Sequence, residues 1–202
     1  MKIKLILSAV YFLISSESMF SQGSLNISIS PGGLSNKEIY NQDNDNDFKY
    51  DFKNVVGAQI AYEYMKNGKC FLAELSYYNG KFDRAELKGT SSTFNPENFK
   101  DYKSYDATLY YGLTINPKKR IQFPFYIGLG GGYSEGGPQK GLFIHAAAKA
   151  RIKFFLTNRI GLFVGVTGKY GYSTLENKSN KDIKYDVFNW RINADTGAIF
   201  YF

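Results

Sequence analysis

Few residues in this chain are equipped for catalysis. His145 is the single histidine and Cys70 the single cysteine. A nucleophile built on His145 needs a hydroxyl beside the ring and an acid to orient it. Ser134 and Glu135 lie just across a hairpin, which makes a Ser–His–Glu contact conceivable. Cys70 has no cysteine to pair with and reads as a small buried side chain. Asp43, Asp45 and Asp47 have calcium-loop spacing, but Phe48 and Asn54 stand where such a loop needs glycine and glutamate. The segment reads as a solvated acidic loop, with a weak cation or lipopolysaccharide-bridging site as the alternative. "GLGGG" (128–132) is followed by neither a helix nor Lys-Ser/Thr, so it is no phosphate loop. No cofactor is expected.

The charges that remain are held at alternate positions, and that spacing defines the elements. In "IHAAAKARIKF" (144–154), Ile144, Ala146, Ala148, Ala150, Ile152 and Phe154 share one phase, and His145, Ala147, Lys149, Arg151 and Lys153 the other. Residues two apart share a face of a strand, whereas a helix would scatter these cations around its axis. The same alternation marks strands at 25–30, 55–65, 70–78, 105–115, 121–134, 142–155, 160–172 and 188–202. The connections 66–69, 116–120 and 156–159 are tight, and Asn67-Gly68 is a two-residue hairpin signal. Those at 31–54, 79–104, 135–141 and 173–184 read as long or Gly-rich polar loops. The pattern predicts an all-β fold, an eight-stranded antiparallel up-and-down barrel with two unlike ends.

Alternation alone does not say which face is dry. The polar phase holds most of the strand glycines, among them Gly112, Gly128, Gly130, Gly132 and Gly165. An eight-stranded barrel has a lumen just wide enough for side chains, so small residues belong inside it. The same phase carries Glu63, Glu74, Asp106 and Asp195 against Lys149, Arg151, Lys153, Lys169 and Arg191. Pairing of the four acids with Lys149, Arg151, Lys169 and Arg191 would plug a narrow lumen. Aromatics flank the apolar phase near the strand ends, notably Tyr62, Tyr64, Tyr133, Tyr170, Tyr172 and Trp190, as in the interfacial girdles of membrane barrels. These features predict a transmembrane barrel with a polar lumen and a lipid-facing apolar exterior. A soluble barrel with an apolar cavity is the alternative.

The N-terminus is a separate object. Lys2 and Lys4 precede an apolar stretch, Leu5 to Ile14, and then small polar residues. This is the pattern of a secretory signal, too short to span a membrane. It predicts a signal peptide over 1–21, cleaved after Ser21, and one barrel domain over 22–202. Loss of Lys2, Lys4 and Glu17 takes the formal charge from +7 to +6. Export makes nucleic acid an improbable partner despite that charge.

An exported chain of eight alternating strands ending in Phe202 resembles the small outer-membrane β-barrel proteins, of the OmpA/OmpX type. The resemblance covers the whole mature chain. It implies residence in the outer membrane of a Gram-negative bacterium, amid lipid and lipopolysaccharide, with both termini periplasmic. It also implies that the last strand, with Ala198, Phe200 and Phe202 at alternate positions, is read by the barrel-assembly machinery. Barrels of this size include lipid A-modifying enzymes, but Ala147 stands where a deacylase needs serine, so a non-enzymatic role is expected. Two such roles stay open, surface loops for adhesion or structure and an accessory (PorT-like) subunit of a secretion or assembly complex. Lys66, Lys69, Lys118, Lys119, Arg120 and Arg159 gather on the short-turn rim, periplasmic in this family.

Overall fold

The structure is a computed structural model that describes residues 23–41, 47–87, 93–94, 100–117, 119–137, 139–176 and 184–202. The segment 1–21, expected as a signal peptide, lies outside the described residues, as do Asp43, Asp45 and Lys118. Eight antiparallel strands close into a barrel: β1 (Gly23–Asn41), β2 (Phe48–Lys66), β3 (Lys69–Leu87), β4 (Lys100–Ile115), β5 (Ile121–Gly137), β6 (Gln139–Phe155), β7 (Ile160–Glu176) and β8 (Lys184–Tyr201). Each pairs with its neighbours in sequence, and β8 pairs with β1 (Leu25 with Phe200, Ile27 with Ala198) to close the sheet. A two-residue strand, Thr93–Phe94, extends the far end of β3. Closure leaves no long edge exposed.

Local chemistry sets the tight end. Asn67 (φ 52°) and Gly68 (φ 77°) take the two left-handed positions of a two-residue turn, and Lys66 pairs directly with Lys69. Asn116 (φ 58°) starts the β4–β5 turn, and Thr157 Oγ1 accepts the Arg159 and Ile160 amides in the β6–β7 turn.

The barrel is inside out relative to a soluble one. Leu129 is 73% exposed and Ile127 71%, while Glu63 is 1% exposed and Lys153 fully buried. A continuous wall of Leu, Ile, Val and Phe is stable only against an apolar solvent, so the barrel spans a membrane with strands. From Ile115 to Tyr105 the β4 wall is apolar over eleven residues, about 25 Å of height at the usual rise and tilt.

The strands are longer than the sequence pattern predicts. They run 16 to 19 residues, whereas a tilted transmembrane strand needs about 9–11. Most of 31–54 and 79–104, and nearly all of 135–141, expected as loops, continue the ladders instead. Since the lipid-facing residues begin directly at the tight turns, all the excess projects from the opposite end. β3 continues from Asn79 to Leu87, a stem of about 20 Å. β-Bulges hid these strands. The register shifts between Ile29 and Gly32 on β1, between Lys53 and Val56 on β2, between Phe82 and Arg84 on β3, and between Lys100 and Lys103 on β4. Each shift exchanges the inward and outward phases, so the two-residue alternation breaks.

The stem has a polar outer wall and an apolar interior, the reverse of the spanning part. Outside, Arg84 pairs with Asp51 (2.7 Å) and Lys53 with Asp83 (2.5 Å). Inside, Phe52, Val55, Tyr78, Phe82 and Tyr102 pack as a hydrophobic core, with Phe52 tilted on Tyr102 at 5.3 Å between ring centroids.

Candidate functional site

Among the described residues, the lumen gathers the buried charges. Alternation turns acids inward from β2, β3 and β4 (Glu63, Glu74, Asp106) and cations inward from β6 and β7 (Lys149, Arg151, Lys153, Lys169). These walls face each other, so the charges meet across the barrel rather than along a strand. Nearest the tight turns, Lys153 Nζ lies 2.5 Å from Glu63 Oε2, and Tyr126 Oη donates to Glu63 Oε1 at 2.9 Å. One level up, Glu74 accepts from Lys149, with Lys169 at 3.5 Å and Arg151 at 3.7 Å. Beyond it, Asp106 accepts from Arg191 and lies 3.3 Å from Lys169.

Asp195, on β8, is held by neutral donors more than by charge. Ser30 Oγ (2.6 Å) and Gln59 Nε2 (2.7 Å) donate to it, as does Thr167, while Lys149 stands at 3.9 Å. The eight charged residues expected in the lumen are buried there; Glu74, Asp106, Asp195, Lys149, Arg151, Lys169 and Arg191 join through ion pairs, while Glu63 is held apart. Lys153, which the sequence places on the same face but outside the expected pairing, supplies the partner of Glu63. Arg151 makes no hydrogen bond with its guanidinium nitrogens and rests on the Phe163 ring at 4.1 Å.

Aromatic rings close the upper lumen, and their inward position was not read from the sequence. The Arg191 guanidinium lies 3.6 Å from the centroid of Tyr78, and its Nη1 donates to Tyr102 Oη at 2.9 Å. Lys37, on β1 above Tyr102, is 3% exposed and has its amine 5.7 Å from that ring. It lines a crevice with Ser134, Lys140 and Asn189. Burial lowers its pKa to about 8, against the raising influence of Glu135. The cue for Lys37 would have been the phase change at the β1 bulge.

His145 does not meet a catalytic serine. Its Nε2 is 2.9 Å from Thr108 Oγ1, and its register partners are Gly130 and Gly171. Ser134 faces the lumen four residues beyond Gly130, about 13 Å away along the strand. Glu135 points outward and lies 3.7 Å from Lys103. Consecutive strand residues take opposite faces, so Ser134 and Glu135 cannot both serve His145. The Ser–His–Glu contact is not formed, and His145 is packed in the lumen. Cys70 is fully buried, with Sγ 2.8 Å from Thr114 Oγ1.

On the outer wall, Tyr62 and Tyr64 lie half-buried near the tight turns, and Tyr133, Tyr170, Tyr172 and Trp190 lie toward the stem. Tyr170 stands opposite Trp190 in the β7–β8 ladder. Phe200 and Phe202 face outward, Tyr201 faces in against Phe155, and the Phe202 amide donates to Gly23 O at 3.1 Å.

No family model matches the chain, and no curated protein matches it. Solved structures do. The outer membrane protein OprG from Pseudomonas aeruginosa superposes with a TM-score of 0.52 at 15% identity, covering 91% of this chain and 98% of OprG. The chain has the fold of the small outer-membrane β-barrels. Neisserial surface protein A matches 88% of this chain and 97% of its own at 11% identity and a TM-score of 0.48. Ail of Yersinia pestis matches 86% and 99% at 16% identity and 0.38. Small outer-membrane barrels share the plan of tight turns at one end and longer extensions at the other. In this barrel the extension is ordered sheet carrying its own core.

Proposed function

We propose that the protein is an integral outer-membrane barrel with a closed lumen, exported by cleavage after Ser21, that works through its projecting stem. Both termini then lie in the periplasm and the stem faces outside the cell. The cross-lumen charge network carries this reading. Glu63–Lys153, Glu74–Lys149 and Asp106–Arg191 stack at successive levels, and Tyr78, Tyr102 and Phe52 cap them. Lumen charges that satisfy one another leave neither a water column nor a free charge for a passing solute.

The test is conductance in planar bilayers. The refolded barrel should show no porin-sized steps, and steady openings of that size would overturn the reading. The polar stem wall, with Arg84 and Lys103 exposed and Asp51 half-buried on its strands, supports a binding or structural role without catalysis. Adhesion and membership of a secretion or assembly complex separate by pull-down from detergent extracts. A stable protein partner supports the second.

A further inference from the structure

The tight-turn end is cationic and, among the described residues, free of ion pairs. Lys66 and Lys69 flank the β2–β3 turn, Lys119 and Arg120 the β4–β5 turn, and Arg159 ends the β6–β7 turn, all exposed. No aspartate or glutamate occurs in the described turns between these strands. The lumen cations and Arg84, in contrast, all stand near carboxylates. The backbone fixes the rim in place: Phe155 N donates to Arg120 O at 2.9 Å and Tyr201 N to Arg159 O at 2.8 Å. Arg120 is followed by lipid-facing Ile121, and Arg159 by lipid-facing Ile160. The cations therefore stand where the apolar wall gives way to the headgroup layer.

A second feature shares this end. A cavity of about 250 Å³ opens at the mouth, lined by Lys119, Arg120, Gln122, Asn158 and Tyr201. Gln122 is 5% exposed; its Nε2 donates to Pro117 O at 2.8 Å, and its Oε1 has no hydrogen-bond partner. The cavity presents cations with no carboxylate among its lining residues.

We propose that this rim binds the phosphate headgroups of anionic phospholipids in the leaflet that borders the tight turns. The inference rests on the reading of that end as periplasmic. Lysine and arginine only donate, and a phosphodiester only accepts, so the chemistries match. A net positive rim favours a net negative headgroup such as phosphatidylglycerol over a zwitterionic one. The cations come from three turns spaced around the barrel, each beside lipid-facing residues. A surrounding lipid annulus meets all three, whereas a docked protein meets one side.

The test uses the full barrel in phosphatidylcholine nanodiscs with graded phosphatidylglycerol, with retained lipid read by native mass spectrometry. The wild type should enrich phosphatidylglycerol, and the variant Lys66→Gln/Lys69→Gln/Lys119→Gln/Arg120→Gln/Arg159→Gln should lose at least about tenfold of that preference. Raising salt to about 0.5 M should weaken it, because exposed charges are screened. Equal enrichment in the variant overturns the proposal. So does displacement of the lipid by millimolar inorganic phosphate, which identifies a free-anion site, or by polyglutamate, which identifies an acidic-protein site. Orientation is checked separately with Asn158→Cys. Labelling of intact cells by a membrane-impermeant maleimide would refute the periplasmic placement and leave the nanodisc result standing.

Discussion

Glu63 and Lys153 meet across the lumen at 2.5 Å although 90 residues separate them. Neither side chain touches solvent, so each is the other's compensation for leaving water. Replacing Glu63 with Gln leaves Lys153 charged and buried, and should destabilise the barrel by about 3–5 kcal/mol. The double variant Glu63→Gln/Lys153→Met should recover most of that loss. Urea unfolding from detergent micelles measures both, and an unaffected single variant would remove the pair from the account of stability.

Leu129 tests the nature of the outer solvent. At 73% exposure in a water-soluble protein, Leu129→Arg would be nearly neutral. Facing the middle of a bilayer, it should cost about 2–4 kcal/mol. Comparing unfolding from lipid vesicles with that of Arg84→Leu, on the stem wall, separates the two environments. Equal effects would place both residues in water.

The β4–β5 seam depends on glycine for closeness. A Cβ on Gly132 would lie 2.1 Å from the Tyr105 carbonyl oxygen, and one on Gly130 2.2 Å from that of Ala107. Backbone oxygens cannot swing aside, so Gly132→Val should abolish the heat-modifiable gel shift of the folded barrel. Gly168→Ala, whose Cβ meets nothing within 4 Å, should fold as the wild type does.

Lys37 makes the stem sensitive to alkaline pH. The folded state releases its proton near pH 8, and an unfolded lysine near 10.5. Between those values the unfolded chain binds more protons, so stability rises with pH across the window and the full penalty is present below 8. The full shift corresponds to about 3 kcal/mol. Glu135 is the carboxylate that acts on Lys37, Lys140 shares its crevice, and Tyr102 offers its ring. Tyr50, pushed up to about 12 by burial, opposes the trend above pH 10, so the reading belongs between 8 and 10. Urea midpoints should climb over that interval, and Lys37→Met should lessen the climb and raise stability at pH 7.

The resemblance to small outer-membrane barrels implies that Phe202 and the residues before it are read during assembly. Deleting Phe202 should lower the amount of barrel inserted in the membrane of living cells while leaving refolding into micelles largely intact. The residue caps the lipid-facing row of β8 and contributes one backbone bond to Gly23. A loss confined to cells separates recognition during biogenesis from stability.

Sequence alone determined the period, the strand number, the tight turns and the sidedness of the wall. Alternation in "IHAAAKARIKF" assigns each residue to a face, and the glycines and opposite charges of one phase mark it as the crowded inner face. Those properties are local, since side-chain direction in a strand repeats every two residues. Only the closed barrel decided which charges meet. Glu63 finds Lys153, and Asp195 is held chiefly by hydroxyls and an amide, because pairing across a lumen depends on strand stagger as well as phase. The stem also became visible only in three dimensions. Its bulges reverse the phase, and its outer wall is polar because it has left the lipid, so a two-residue apolar pattern has no reason to continue there. Phe52 joins Tyr78 and Tyr102 in a core only because the β2 bulge turns it inward; the two tyrosines continue the lumen phase of their own strands.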